Sequence, residues 1–331
     1  MSNPYISGTG YYLPPRVVTN EELSNFMDTS NEWILERTGI EERRYVESGV
    51  GPSDLAIPAT EQALLAAGLT VKDIDFIIFA TSTPDYYAPG SGCLLQEKMG
   101  FGEIGALDVR VQCSGFVYGL SIAEQYIRTG MFKHILLIGA EVQSTAMDLT
   151  TEGRDTAVIF GDGAGAAIIS ATEEDRGILS THLHTDGRYV KELWLEAPAS
   201  KAGHPRISKN DLDEGKQYLK MNGREVFRHA VTRFPEVIIE ALKKNKIEQK
   251  DIGLLIPHQA NLRITQMIQK KMGLRDDQVM SNIHKYGNTT AGTIPIALGE
   301  AIEEGRISEG DIVVFASFGS GFSWASAVMK W

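Results

Sequence analysis

The sequence predicts an α/β protein built from two related halves. Two observations carry this. Apolar, β-rich runs alternate with amphipathic helical stretches along nearly all of the 331 residues, the pattern of sheets covered by helices. Segments of the first half also recur, in order, in the second. Strands are expected at Phe76–Ala80, Ile135–Ala140, Leu254–Ile256 and Ile312–Ser317. Helices are expected at Leu55–Ala67, Gly115–Thr129, Arg224–Lys244, Leu262–Met272 and Thr293–Glu304. Glu196–Gly215, rich in Pro, Gly, Ser and mixed charge, reads as a surface excursion between the halves.

The repeat is visible residue by residue. Lys72-Asp73-Ile74-Asp75-Phe76-Ile77-Ile78-Phe79 matches Lys250-Asp251-Ile252-Gly253-Leu254-Leu255-Ile256-Pro257 at a spacing of 178, each after an amphipathic helix. At a spacing of 177, Ile135–Ile138 falls on Ile312–Phe315 and Cys113 falls on Thr290. Phe160-Gly161-Asp162-Gly163 is echoed by Phe318-Gly319-Ser320-Gly321. Three matches in one order point to duplication, with halves at 1–175 and 176–331. Equivalent strand ends would then meet at a pseudo-twofold axis, where open α/β folds place their ligands.

Composition narrows the chemistry. A chain of this length with 43% hydrophobic residues can bury a large core. A net charge of −11 argues against nonspecific binding to nucleic acid or an anionic membrane. No apolar run reaches the roughly 18 residues of a membrane span and the first residues lack a basic, then apolar, leader pattern; a cytoplasmic location is expected. The two cysteines, Cys93 and Cys113, are too few for a disulfide scaffold and lack the paired spacing of a zinc site.

Cys113 lies between a strand-like run and a long helix, in Val109-Arg110-Val111-Gln112-Cys113-Ser114-Gly115-Phe116. At a helix N-terminus the free amides and the dipole favour a thiolate, so its pKa is expected to fall and the sulfur to serve as a nucleophile. The bland alternative is a small buried hydrophobe. His258 follows a buried strand in Ile256-Pro257-His258-Gln259-Ala260-Asn261, and Asn288 lies in a turn-rich run before a helix, Gly287-Asn288-Thr289-Thr290. Alone, His258 reads more readily as a structural histidine and Asn288 as a helix cap. Together, the three occupy strand-to-helix junctions of a duplicated frame.

These motifs resemble the β-ketoacyl-[acyl-carrier-protein] synthase III family of the thiolase-like superfamily. The resemblance runs from Thr29-Ser30-Asn31-Glu32-Trp33-Ile34 and Arg37-Thr38-Gly39-Ile40, through Cys113-Ser114-Gly115-Phe116 and Phe160-Gly161-Asp162-Gly163-Ala164-Gly165-Ala166, to Met221-Asn222-Gly223-Arg224. It continues through Pro257-His258-Gln259-Ala260-Asn261 and Gly287-Asn288-Thr289 to Phe318-Gly319-Ser320-Gly321-Phe322-Ser323-Trp324. It implies a layered α-β-α-β-α fold and a ping-pong reaction that initiates fatty-acid synthesis. Cys113 would accept an acyl group from acyl-coenzyme A. His258 and Asn288 would hydrogen-bond the carbonyl of a malonyl thioester as it loses carbon dioxide. The backbone amides of Cys113 and Ser320 would form an oxyanion hole, and Phe318 would pack beside the thiol.

The resemblance further implies coenzyme A contacts at Thr29, Trp33, Arg37, Thr38, Arg154 and Gly223, with the adenine stacked on Trp33. It places docking of an acidic acyl carrier protein on Arg228, Arg263, Lys270 and Lys271. No permanently bound cofactor is implied; acyl-coenzyme A and the malonyl thioester are substrates, and the subunits form a homodimer. Ala88 stands where some members close the acyl pocket with a bulky side chain, Gln112 where a small residue is commoner, and Ser320 within a usual Gly-Gly-Gly run. The closest alternative is a specialised condensing enzyme of secondary metabolism or long-chain acyl joining. A non-catalytic binding protein would not need all three reactive residues. A papain-like protease lacks support because Cys113 is far from the N-terminus and outside that family's signature. The Gly161-Asp162-Gly163-Ala164-Gly165 run opens a strand-like segment, Ala166–Ser170, so it does not read as a dinucleotide site.

Overall fold

The computed structural model describes residues 2–331. Two sheets share one plan. The first has strand order Asn3–Tyr12, Gly163–Thr172, His134–Glu141, Phe76–Ala80, Gly105–Val109. The second runs Gly177–Thr185, Ser323–Lys330, Ile312–Gly319, Ile252–Pro257. In each, parallel strands occupy one side and antiparallel strands the other. A single parallel bridge from Leu255 to Val279 stands where the first sheet has its fifth strand. Each expected strand and helix forms, with ends shifted by no more than three residues.

Alternation along the strands decides the layers. In Phe76–Ala80, Ile78 and Ala80 face one core while Ile77 and Phe79 face another; in Ile312–Gly319, Val313 and Phe315 face the first core and Val314 and Ala316 a third. The shared inner core is filled by Phe116, Val117 and Leu120 of helix Gly115–Arg128 and by Ile294, Ala297 and Leu298 of helix Thr293–Glu303. Helix Pro52–Ala67 covers the outside of the first sheet, and helices Gly223–Asn245 and Leu262–Met272 the outside of the second. Strands buried on both faces read as continuous apolar runs for this reason. The result is a layered α-β-α-β-α stack. Among the described residues, no helix is long and apolar enough to cross a membrane.

The structure corrects the repeat register. Val71–Asp73 corresponds to Gln249–Asp251, Gln112–Ser114 to Thr290–Gly292 and His134–Glu141 to Ile312–Gly319, all at a spacing of 178. Cys113 therefore corresponds to Ala291, and Gln112 to Thr290. A 177 register would turn every side chain of the matched strands to the wrong face; Ile135 and Leu137 face the inner core, as do Val313 and Phe315. Runs apolar on both faces hide that slip in sequence. The backbone shows it, because Gln112 (φ 43°) and Thr290 (φ 51°) both adopt the left-handed conformation that is uncommon for residues other than glycine.

Candidate active site

Cys113 and His258 sit where a strand hands over to a helix; Asn288, expected at such a junction, instead follows the short helix Ile283–Tyr286 and is held by a single parallel bridge to Phe160. Cys113 lies in the tight turn Gln112–Ser114, directly before helix Gly115–Arg128, and is buried. His258 extends strand Ile252–Pro257, its amide donating to the Ala316 carbonyl at 2.8 Å. Asn288 is held through its backbone, donating to Ile159 O at 2.9 Å and accepting from Gly161 N at 3.1 Å. One cavity of about 480 Å³ is lined by Cys113, His258, Asn288 and Phe318. The turn, the strand end and the bridge thus bring together residues far apart in the chain.

Electrostatics at the thiol run against the sequence expectation. Burial pushes the Cys113 thiol up to about 12, and the Glu141 charge adds to the rise. The backbone N–H groups of Cys113 and Ser320 hydrogen-bond the sulfur and pull the other way, but desolvation of a thiolate costs more than they return. The resting Cys113 side chain is a neutral thiol. Gly319 lies so close that an added Cβ would sit 2.9 Å from Sγ, so only glycine lets this strand end pass the nucleophile. Phe318 is buried beside it, 4.8 Å from the Phe322 ring.

Burial also holds His258 neutral, its pKa lowered to about 3. Its Nδ1 meets Thr293 Oγ1 at 2.6 Å, and Nε2 is buried without a hydrogen-bond partner among the described residues. The Thr293 hydroxyl also lies 3.0 Å from the Thr290 carbonyl: donating there, it accepts from Nδ1–H and leaves Nε2 an acceptor, whereas turning its one proton to Nδ1 makes Nε2–H the donor. The Asn288 Oδ1 accepts from the Thr290 amide at 2.8 Å. That bond fixes the side-chain amide and leaves its NH₂ group as a donor. Two neutral groups with unspent polar atoms therefore flank the thiol.

A duplicated frame raises the question of what fills the second turn. Glu141 occupies the position matching Gly319, and its buried carboxylate accepts from the Ala291 amide, the counterpart of the Cys113 amide. Ser82, Thr83 and Gln143 also donate to it. A carboxyl group thus occupies the amide that corresponds to the Cys113 amide in the other half. Burial raises the Glu141 pKa to about 7 despite those bonds. Sequence reading missed Glu141; its signal is an acid ending an otherwise apolar strand. Thr293 was also missed and carries no signal beyond its place at a helix start.

The outer end of the cavity carries the residues expected to meet coenzyme A. Trp33, Arg37, Thr38 and Gly223 line it, joined by Asp155, Arg224 and Asn261. The Ser30 hydroxyl caps helix Asn31–Thr38 by accepting from the Trp33 amide. The guanidinium of Arg37 lies 4.3 Å from the Trp33 ring centroid and that of Arg154 5.3 Å. Arg154 donates to the Asp28 carbonyl oxygen and is not on the wall itself; neither is Thr29, whose hydroxyl is buried and unpartnered among the described residues. Asn261, named in the sequence only as part of a motif, caps helix Leu262–Met272 and donates to the Arg37 carbonyl, tying the His258 loop to this end.

Arg263 stands exposed at the mouth, near the Phe227 ring. Lys270 is exposed on the same helix. Arg228 is paired with Glu225, and Lys271 donates to the Val231 carbonyl, so the basic face is weaker than four free cations. Cys113 also opens on a second cavity of about 740 Å³, lined by Gln112, Gln143, Thr290, Ser320 and Arg110. Ala88 is exposed and not on its wall, where Tyr86 and Tyr87 stand instead. Leu195 and residues 198–201 of the irregular segment, which lies within the second half rather than between the halves, border this chamber.

A duplicated frame in an α-β-α-β-α stack, with a cysteine turn and a histidine at two strand-to-helix junctions and an asparagine on the bridge to Phe160, defines a thiolase-like condensing enzyme. The comparisons give the family. The model described as 3-Oxoacyl-[acyl-carrier-protein (ACP)] synthase III matches residues 107–187, and its C-terminal model matches residues 242–331. The β-ketoacyl-[acyl-carrier-protein] synthase III of Caldanaerobacter subterraneus subsp. tengcongensis is 44% identical over 98% of this chain and 97% of that protein. The Xanthomonas euvesicatoria pv. vesicatoria protein of that name is 43% identical over 98% of each. The crystal structure of 3-oxoacyl-[acyl-carrier-protein] synthase III from Aquifex aeolicus VF5 matches with a TM-score of 0.91 at 38% identity, covering 99% of this chain and 100% of that one. The chain belongs to the β-ketoacyl-[acyl-carrier-protein] synthase III family and is an acyltransferase.

Proposed function

We propose that the chain condenses an acyl-coenzyme A starter with malonyl-acyl carrier protein, through an acyl-cysteine at Cys113, to initiate fatty-acid synthesis. The observation that carries this is the shared cavity of Cys113, His258 and Asn288, open towards Trp33 and Arg37. In the first half-reaction the sulfur attacks the thioester carbon, the bond to the coenzyme A sulfur breaks, and the thiol's proton ends on the departing sulfur. The N–H groups of Cys113 and Ser320, which point at the sulfur in the free enzyme, then serve the oxyanion. In the second, the malonyl group loses carbon dioxide, the enolate carbon attacks the acyl carbonyl, the bond from that carbon to the Cys113 sulfur breaks, and the released thiolate takes a proton from water to restore the thiol. His258 and Asn288 stabilise that enolate oxygen, each donor contributing about 3 kcal/mol. Phe318 keeps water from the thioester.

Supporting assignments follow from the same reading. Coenzyme A is held by Trp33, Arg37, Thr38, Arg154 and Gly223, with Thr29 beneath the entrance, and the carrier protein docks on Arg263 and Lys270, aided by Arg228 and Lys271. The halves 1–175 and 176–331 supply the nucleophile and the His–Asn pair respectively. The protein acts in the cytoplasm as a homodimer, with thioesters as substrates and no permanently bound cofactor. Strand Gly105–Val109 is a sheet edge, and Tyr86 and Tyr87 are exposed nearby in sequence to Ala88; an unpaired edge is a natural seat for a second copy. The test is intact-protein mass spectrometry after incubation with acyl-coenzyme A thioesters. One acyl mass added to the wild type and none to Cys113→Ala is expected, and a label on Cys93 overturns the assignment.

A further inference from the structure

We propose that the 740 Å³ chamber behind Cys113 selects an oxygen-substituted acyl group, one carrying a hydroxyl or a carboxylate, over a plain alkyl chain. This rests on the acyl-cysteine reading and concerns what the cysteine carries. The chamber is larger than the 480 Å³ cavity on the substrate-entry side. Its wall mixes apolar side chains, among them Val142, Phe160 and Leu193, with a polar group of Gln112, Gln143, Thr290 and Ser320. Gln143 is buried, and its Nε2 donates to Ser82, Glu141 and Thr290. Those bonds fix the amide and leave its carbonyl oxygen as the unspent acceptor. Gln112, immediately before the nucleophile and held at positive φ, makes no side-chain hydrogen bond within the described residues.

Farther out, the chamber is bordered by Arg110 and Lys201, neither of which is in an ion pair among the described residues. The one carboxylate on that wall, Asp85, already accepts from the amide and hydroxyl of Ser53. The chamber is thus locally cationic in a chain of net charge −11. A plain alkyl chain filling it would strip water from the two glutamines and offer no partner in return. A hydroxyl near the thioester would donate to Gln143 or meet Gln112, and a terminal carboxylate would meet Arg110 or Lys201. A site that hydrogen-bonds its substrate rejects the analogue lacking the group far better than an apolar pocket rejects an added one.

The experiment measures the rate of Cys113 acylation, by intact mass, with two matched pairs of thioesters: butyryl- against 3-hydroxybutyryl-coenzyme A, and hexanoyl- against adipoyl-coenzyme A. Acylation about tenfold faster with the oxygenated member of either pair is expected, and the responding pair tells hydroxyl from carboxylate. Gln112→Ala should shrink a hydroxyl preference and Arg110→Ala a carboxylate preference. Equal or faster acylation by the alkyl member in both pairs overturns the inference while leaving the acyl-cysteine reading intact. No acylation by any of the four overturns that reading and this inference with it. A preference unchanged in both variants overturns the assignment to this wall.

Discussion

Removing the Asn288 side chain should separate the two half-reactions. The backbone of Asn288 is anchored by its bonds to Ile159 and Gly161, so Asn288→Ala deletes the amide without moving the chain. Two losses follow. The enolate loses one neutral donor, about 3 kcal/mol, so steady-state condensation should fall roughly 10²- to 10³-fold. The Thr290 amide loses its 2.8 Å acceptor in a buried site, which should destabilise folding by about 1–3 kcal/mol and move the urea midpoint accordingly. Acylation should survive within about threefold, because its oxyanion uses the backbone amides of Cys113 and Ser320 rather than this side chain. Single-turnover acylation read by mass, beside a condensation assay on the same preparation, makes the comparison. Equal loss of both half-reactions would refute the division of labour.

His258→Ala should behave alike in those two assays, with condensation lost and Cys113 still acylated. Arg263→Glu should weaken use of malonyl-carrier protein in a salt-dependent way while leaving acylation by a small acyl-coenzyme A little changed, because exposed charges act mainly on association and are screened within about 8–10 Å; no effect on either step would reduce the patch to a solvated face. Sedimentation at low micromolar concentration should give about twice 36.3 kDa, and a stable, active monomer would contradict the dimer. Glu141 has a raised folded-state pKa, so its contribution to stability is full below the ordinary carboxylate range and is lost as pH rises through about 7, by about 3 kcal/mol. Urea unfolding of wild type against Glu141→Gln at each pH should show that loss only in the wild type. His258, with its lowered pKa, acts in the opposite direction and cancels in the difference; parallel pH profiles would remove Glu141 as the cause.

Much of the frame was legible because period and burial are local properties of the chain. Phe76–Ala80 and Leu262–Met272 form over the residues their patterns predict, and Cys113 and His258 were legible as reactive types at strand-to-helix junctions, sharpened by family motifs; Asn288 was legible as a reactive type but follows a helix rather than a strand. The repeat was legible in order but not in register, since Ile-Leu-Leu-Ile matches Ile-Val-Val-Phe equally well one residue off. Only the pleat, which assigns Ile135 and Val313 to the same core, fixes it.

The state of the nucleophile was not legible. Sequence places Cys113 at a helix start and so predicts a lowered pKa, but burial depends on what packs around the sulfur from distant segments, and here desolvation beside Glu141 wins. The pairing of His258 with Thr293, the plugging of the second turn by Glu141 and the partly polar chamber behind Gln112 likewise depend on residues far apart in the chain. Sequence alone determined which elements form and which reactive groups are present. Tertiary structure decided which groups lose water and which polar atoms remain unspent, because solvation and hydrogen-bond accounting belong to the assembled surroundings rather than to any one segment.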